Sequence, residues 1–146
     1  MCSQYLHAQR GWLAPVSLAV ALACAGVPPD AHEPRGPKYE ARTWLRANHN
    51  PSPFASNRFG SRAAASAFID SLYEYGADTV YIVGVEEDSS WIREEGGPYA
   101  DGLWVRLPTD LARRARLFAI GAREARREGF DPYLDHGQQY TFFWWD

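Results

Sequence analysis

The sequence predicts an α+β fold built on one antiparallel four-stranded sheet, and three observations carry that prediction. Apolar residues alternate with period two in several short stretches. Two longer stretches instead follow the period of a helix that buries one face. The two patterns come in the order strand, helix, strand, strand, helix, strand, which suits a single sheet layered against its helices.

Each element has its own signal. From Tyr39 to Arg46, Ala41, Thr43 and Leu45 alternate with Arg42, Trp44 and Arg46, which predicts a first strand. A loop with Pro51 and Pro53 follows, over 48–60. Ser61 is placed to cap a helix running to about Tyr75, with Ala64, Ala65, Phe68 and Leu72 on its buried face and Gly76 as its stop. Thr79 to Val85 is β-branched and apolar, a short strand. From Gly102 to Leu107, Leu103, Val105 and Leu107 alternate with Trp104 and Arg106, giving a third strand that Pro108 ends. Thr109 or Asp110 caps a second helix, whose Leu111, Ala115, Phe118, Ala122 and Ala125 form an expected buried stripe. Arg113, Arg116, Arg123 and Arg127 fall opposite, and Gly129 closes the helix. A turn-rich stretch from Asp131 to Gly137 leads to a last aromatic strand, Gln138 to Trp145.

This element order resembles the ferredoxin-like βαββαβ sandwich, in which both helices cover one face of the sheet. The resemblance is one of architecture and rests on no family motif. It implies a core of Leu45, Phe68, Leu72, Leu103, Val105, Leu111, Phe118 and Ala122. It also makes the first and third strands neighbours at the sheet centre.

The chain of 146 residues divides into three parts. Residues 1–24 read as an export signal: Trp12 to Ala25 is almost unbrokenly apolar, too short to span a bilayer, and ends in small residues. Ala21-Leu22-Ala23 suits an ordinary signal peptidase, and Ala23-Cys24 resembles a bacterial lipobox in which Cys24 carries the lipid. Both cleavages remain open, so the protein is expected outside the bacterial inner membrane, lipid-anchored at the envelope or free in the periplasm or beyond. Residues 25–38, with Pro28, Pro29, Pro34 and Pro37, read as a flexible linker. Residues 39–146 form the single domain. Its only link to a membrane would be the N-terminal anchor.

Composition narrows the function. The two cysteines are Cys2 and Cys24, so the domain itself has no disulfide, thiolate metal site or cysteine nucleophile. A net charge of −3 and the lack of an RNA-recognition signature argue against nucleic acid as a partner. No dinucleotide or phosphate loop is present, and no cofactor is expected. Glu86, Glu87 and Asp88 lie in an acidic loop, but their spacing is not that of a calcium loop, so no metal site is assigned to them. Asp135 and His136 are adjacent near Arg106 in the expected topology. They are the weak nucleus of an alternative reading, a small cofactor-independent enzyme.

The main functional expectation is a binding or interaction domain. If the first and third strands are neighbours, Arg42, Trp44, Arg46, Trp104 and Arg106 share the sheet face that the helices leave bare. Tryptophan and arginine are the residues most enriched in binding hot spots. Three occupants compete for this face: a second copy of the chain, a protein or small-molecule partner, or the protein's own leader and loops.

Overall fold

The computed structural model describes residues 33–146. The expected export signal, Cys24 and the first part of the linker lie outside these residues. Four strands, β1 (Tyr39–Glu40), β2 (Thr79–Glu86), β3 (Tyr99–Arg106) and β4 (Tyr140–Trp144), form one antiparallel sheet. Four helices, α1 (Ala41–Ala47), α2 (Arg62–Glu74), α3 (Ser89–Glu95) and α4 (Leu111–Arg127), complete an α+β fold. Among the described residues no helix is long and apolar enough to cross a membrane.

The long elements form where their signals place them. The Ser61 hydroxyl accepts the amide of Ala64 and starts α2, and the Asp110 carboxylate accepts the amide of Arg113 and starts α4. β2 and β3 pair over nearly their full length, with Val80 opposite Val105 and Ile82 opposite Leu103. Phe143 of β4 continues that row across the sheet. Against this face lie Leu45, Ala65, Ile69, Leu72, Leu117 and Ile120 in one continuous buried core.

The first strand is a correction. Only Tyr39–Glu40 is extended, and the residues from Ala41 form a helix. Ala41, Trp44, Leu45 and Asn48 are buried, which is the i, i+3, i+4, i+7 spacing of a helix face. Alternation in this stretch was a coincidence of small and large residues. Glu40 supplies the local cause, because its carboxylate accepts the amides of Arg42 and Thr43 at the open helix start. Burial pushes that carboxyl up, but hydrogen bonds from Thr43, Tyr73 and these amides outweigh burial and hold it at about 2.

Strand order also differs in one respect. The sheet runs β1-β2-β3-β4, so β2 lies between the first and third strands.

The buried stripe of α4 is the second correction. Leu111 is 78% exposed and Ala115 is exposed, while Phe118, Ala122 and Ala125 are only half-buried. The residues facing inward are Arg114, Leu117, Ile120 and Glu124. Two charges therefore stand on the buried line, each neutralised by a partner. Arg114 donates to Asp135 at 2.5 and 2.9 Å and to the carbonyls of Pro108 and Gln138. Glu124 accepts from Arg58 at 2.5 and 2.8 Å and from the Trp145 indole at 3.2 Å. Within α2, likewise, Ile69 is buried where Phe68 is half-buried and Ala64 exposed.

Candidate functional site

The five residues expected to share a sheet face do not form one patch. Arg42, Trp44 and Arg46 belong to α1. Trp44 is buried in the core, edge-on to Phe54 at 6.3 Å. Arg42 pairs with Asp70 and lies over the Tyr73 ring, and Arg46 donates to Thr43. Trp104 and Arg106 are on β3 as expected. Trp104 sits on the face away from the core, between Tyr81 and Phe142 of the neighbouring strands. Its ring stacks on Tyr140 at 3.8 Å under the Lys38 ammonium, which leaves it 6% exposed. Among the described residues its indole N–H has no hydrogen-bond partner.

The other expected sites are engaged locally. Asp135 is held by the Arg114 guanidinium and the Gly137 amide, which keep its carboxyl at about 2. His136 is an exposed turn residue beside it. This pair braces the approach to β4, and it faces no described cavity together with Arg106. In the acidic loop, Asp88 accepts the amides of Ser90 and Trp91 and caps α3. Glu86 accepts the Asp88 amide, and Glu87 accepts the Tyr39 hydroxyl. Among the described residues no group of three histidines or carboxylates is placed to hold a metal ion.

A different site emerges at the other end of the sheet. The loop over 50–57, the α3 helix, the start of β3 and residue Asp146 after β4 enclose a cleft of about 570 Å³. That is within the size range of small-molecule sites, roughly 300–1,000 Å³. Its charged walls are Glu95, Asp101 and Asp146, and its aromatic walls are Phe54, Trp91 and Tyr99. Among the described residues no lysine or arginine lines it.

Each wall has an identifiable cause. Asn48 and Asn50 are buried, and their side-chain amides donate to the carbonyls of Pro98 and Gly97 at 2.8 and 3.1 Å. Their side-chain carbonyls accept the amides of Asn50 and Ser52. The two asparagines thus bolt the 50–57 loop to the turn that opens β3. Gly97 permits this approach, since a Cβ there would lie 2.4 Å from the Asn48 side-chain oxygen Oδ1. The Ala100 amide donates to the Pro53 carbonyl and extends the contact onto the sheet. Beyond it, Ser56 and Asn57 both adopt a left-handed conformation at φ 52°, and Ser52 hydrogen-bonds Asn57. Consecutive non-glycine residues in that region are strained, and such strain gathers at binding sites.

Asp101 is the central group. Burial raises its carboxyl above the ordinary aspartate value, and the charge of Asp146 raises it further, while its own amide and the Trp144 side chain partly offset both. Gly84 of β2 makes room for it. A Cβ at Gly84 would fall 1.6 Å from Asp101 Oδ1, and Gly84 has φ 61°. Trp91, half exposed at 50%, stands edge-on to Tyr99 at 6.5 Å and forms the outer wall.

Compared with known proteins, the chain matches no family model, no curated sequence and no solved structure. The cleft is therefore read from its own chemistry.

Proposed function

We propose that the protein is a binding module, exported and lipid-anchored through Cys24, whose ligand site is the acidic cleft around Asp101. Its ligand carries a cationic group, an ammonium or guanidinium. One observation carries this reading: a partly buried carboxylate faces a cavity with further carboxylates, three aromatic rings and, among the described residues, no lysine or arginine. Carboxylates attract a cation, and the face of a Trp or Tyr ring stabilises it by its quadrupole. Asn50, Ser52 and Asn57 offer polar atoms that would fix the orientation of the rest of the ligand.

The test uses N-acetyl-arginine amide, with N-acetyl-glutamine amide as the uncharged control, in calorimetric titrations of the full chain. The arginine probe should bind more tightly than the control. Asp101→Asn should weaken it about tenfold, the size of one lost charge contact of roughly 1.4 kcal/mol. Binding requires the ionised form of Asp101. Because that carboxyl titrates above the ordinary value of 3.8, affinity should begin to fall at a higher pH than an ordinary aspartate would cause. Equal binding of the two probes, or no loss in Asp101→Asn, would sink the proposal. The anchor has a separate readout, the mass of the mature N-terminus: a diacylglyceryl group on Cys24 supports it, and an unmodified chain starting at Met1 refutes it.

A further inference from the structure

We propose that the groove between α1 and α2 is a second binding site and that it takes a phosphate-type oxyanion. The groove has a volume of about 510 Å³ and shares no residue with the acidic cleft. Three arginines line it, Arg42 and Arg46 from α1 and Arg62 from α2, with Ser66 and Asp70 beside them.

Each arginine side chain is anchored by one hydrogen bond. Arg42 Nε donates to Asp70 Oδ1 at 2.7 Å, and its guanidinium lies 4.0 Å from the centre of the Tyr73 ring. Arg46 Nη2 donates to Thr43 Oγ1 at 3.0 Å. Arg62 Nη1 donates to the Asn48 carbonyl at 2.6 Å. A guanidinium has five N–H donors in a planar fork, so each anchor leaves donors for another acceptor. Among the described residues, Asp70 is the one carboxylate within ion-pairing distance of these three groups. The groove therefore keeps two positive charges in excess. Fixed guanidinium forks with unneutralised charge match the oxygens of a phosphate, which they can grip in pairs. Ser66 adds a hydroxyl that can donate to the same ligand.

Two sources could supply such an anion: a soluble phosphate, or the headgroup of an acidic lipid in the membrane to which the chain is expected to be tethered. One experiment separates them. The full chain is titrated with inorganic phosphate, and in parallel its partition is measured on vesicles of phosphatidylcholine with and without 30% phosphatidylglycerol. The N-terminal segment, with Arg10, is the same in the wild type and in the Arg46 variants, so the reading is the part of the gain from the anionic lipid that Arg46→Gln removes. Phosphate binding without that gain assigns a soluble ligand, and the gain without phosphate binding assigns a headgroup. In either arm Arg46→Gln should weaken the interaction about tenfold, and Arg46→Lys, which keeps the charge and loses the fork, should weaken it less. Circular dichroism of both variants should match the wild type, because Arg46 is exposed and braces only Thr43. No binding of phosphate together with no gain on the acidic vesicles would overturn the proposal, as would an Arg46→Gln variant that binds like the wild type.

Discussion

Replacing Glu124 with alanine is expected to destabilise the domain by about 3–5 kcal/mol, the cost of breaking a buried ion pair by removing one partner. The side chains of Glu124 and Arg58 are 8% and 13% exposed, so water replaces the lost contacts only in part. The substitution strips two guanidinium contacts from Arg58 and one from the Trp145 indole in a single step. The orphaned groups carry most of the penalty, because a buried donor without an acceptor loses its full hydration. Urea unfolding at neutral pH measures the effect. A domain of this size has about 5–15 kcal/mol in total, so the variant should unfold at far lower denaturant. The double variant Glu124→Ala/Arg58→Ala should cost clearly less than the sum of the single changes, since both remove the same contacts. An additive pair of losses would mean that the ion pair is not the origin of the penalty.

This ion pair also marks the boundary of what the sequence makes legible. The ends of α2 and α4 are readable because Ser61 and Asp110 are local caps, acting on amides three residues away. β2 and β3 are readable as strands because Thr79–Val85 is β-branched and apolar and Leu103, Val105 and Leu107 alternate with Trp104 and Arg106. The buried line of α4 is not, because Arg114 and Glu124 occupy it and their partners lie 21 and 66 residues away in the chain. A scan for apolar periodicity passes over charged residues and slides to the alanines alongside. At Tyr39–Arg46 two periods compete over eight residues, and the capping carboxylate of Glu40 decides for the helix. Once that stretch is helical, a patch of Arg42, Trp44 and Arg46 beside Trp104 cannot form.

The acidic cleft was illegible for another reason. Its walls come from the 50–57 loop, α3, the start of β3 and the residue after β4, and no two of its charged groups form a spaced motif. Two signals were nonetheless present in the chain. The Asn48-His49-Asn50 stretch and the Gly96-Gly97-Pro98 turn each look like ordinary loop, yet together they make a buried clamp that only a glycine at 97 permits. Gly84 looks like a strand irregularity, and its purpose is visible only when Asp101 of the partner strand occupies the space.

Trp145→Ala is the second large effect, at about 3–5 kcal/mol for emptying a fully buried indole site. Trp145 is 0% exposed, and its ring meets Phe54 at 5.4 Å, Phe59 at 5.5 Å and Phe68 at 6.2 Å, all near perpendicular. Those contacts join the end of β4 to the loop that walls the cleft, through Phe54, and to α2, through Phe68. Its amide donates to the Asp101 carbonyl at 2.8 Å, so the same residue fixes the backbone that carries the cleft's central carboxylate. Trp145→Phe separates packing from hydrogen bonding. The smaller ring keeps most of the aromatic contacts, while Glu124 retains both bonds from Arg58, so the loss should be nearer 1–2 kcal/mol, that of one buried hydrogen bond and a small void. Thermal and urea unfolding of the two variants should therefore rank alanine well below phenylalanine. If phenylalanine proves as damaging as alanine, the indole N–H outweighs the ring packing. A cost below about 1 kcal/mol for alanine would show that the loop is held by the Asn48–Asn50 clamp alone. In the expected case, loop and sheet loosen together, and probe binding in the cleft should fall in Trp145→Ala while Trp145→Phe retains it, because the position of Asp101 depends on packing at the next residue of the neighbouring strand.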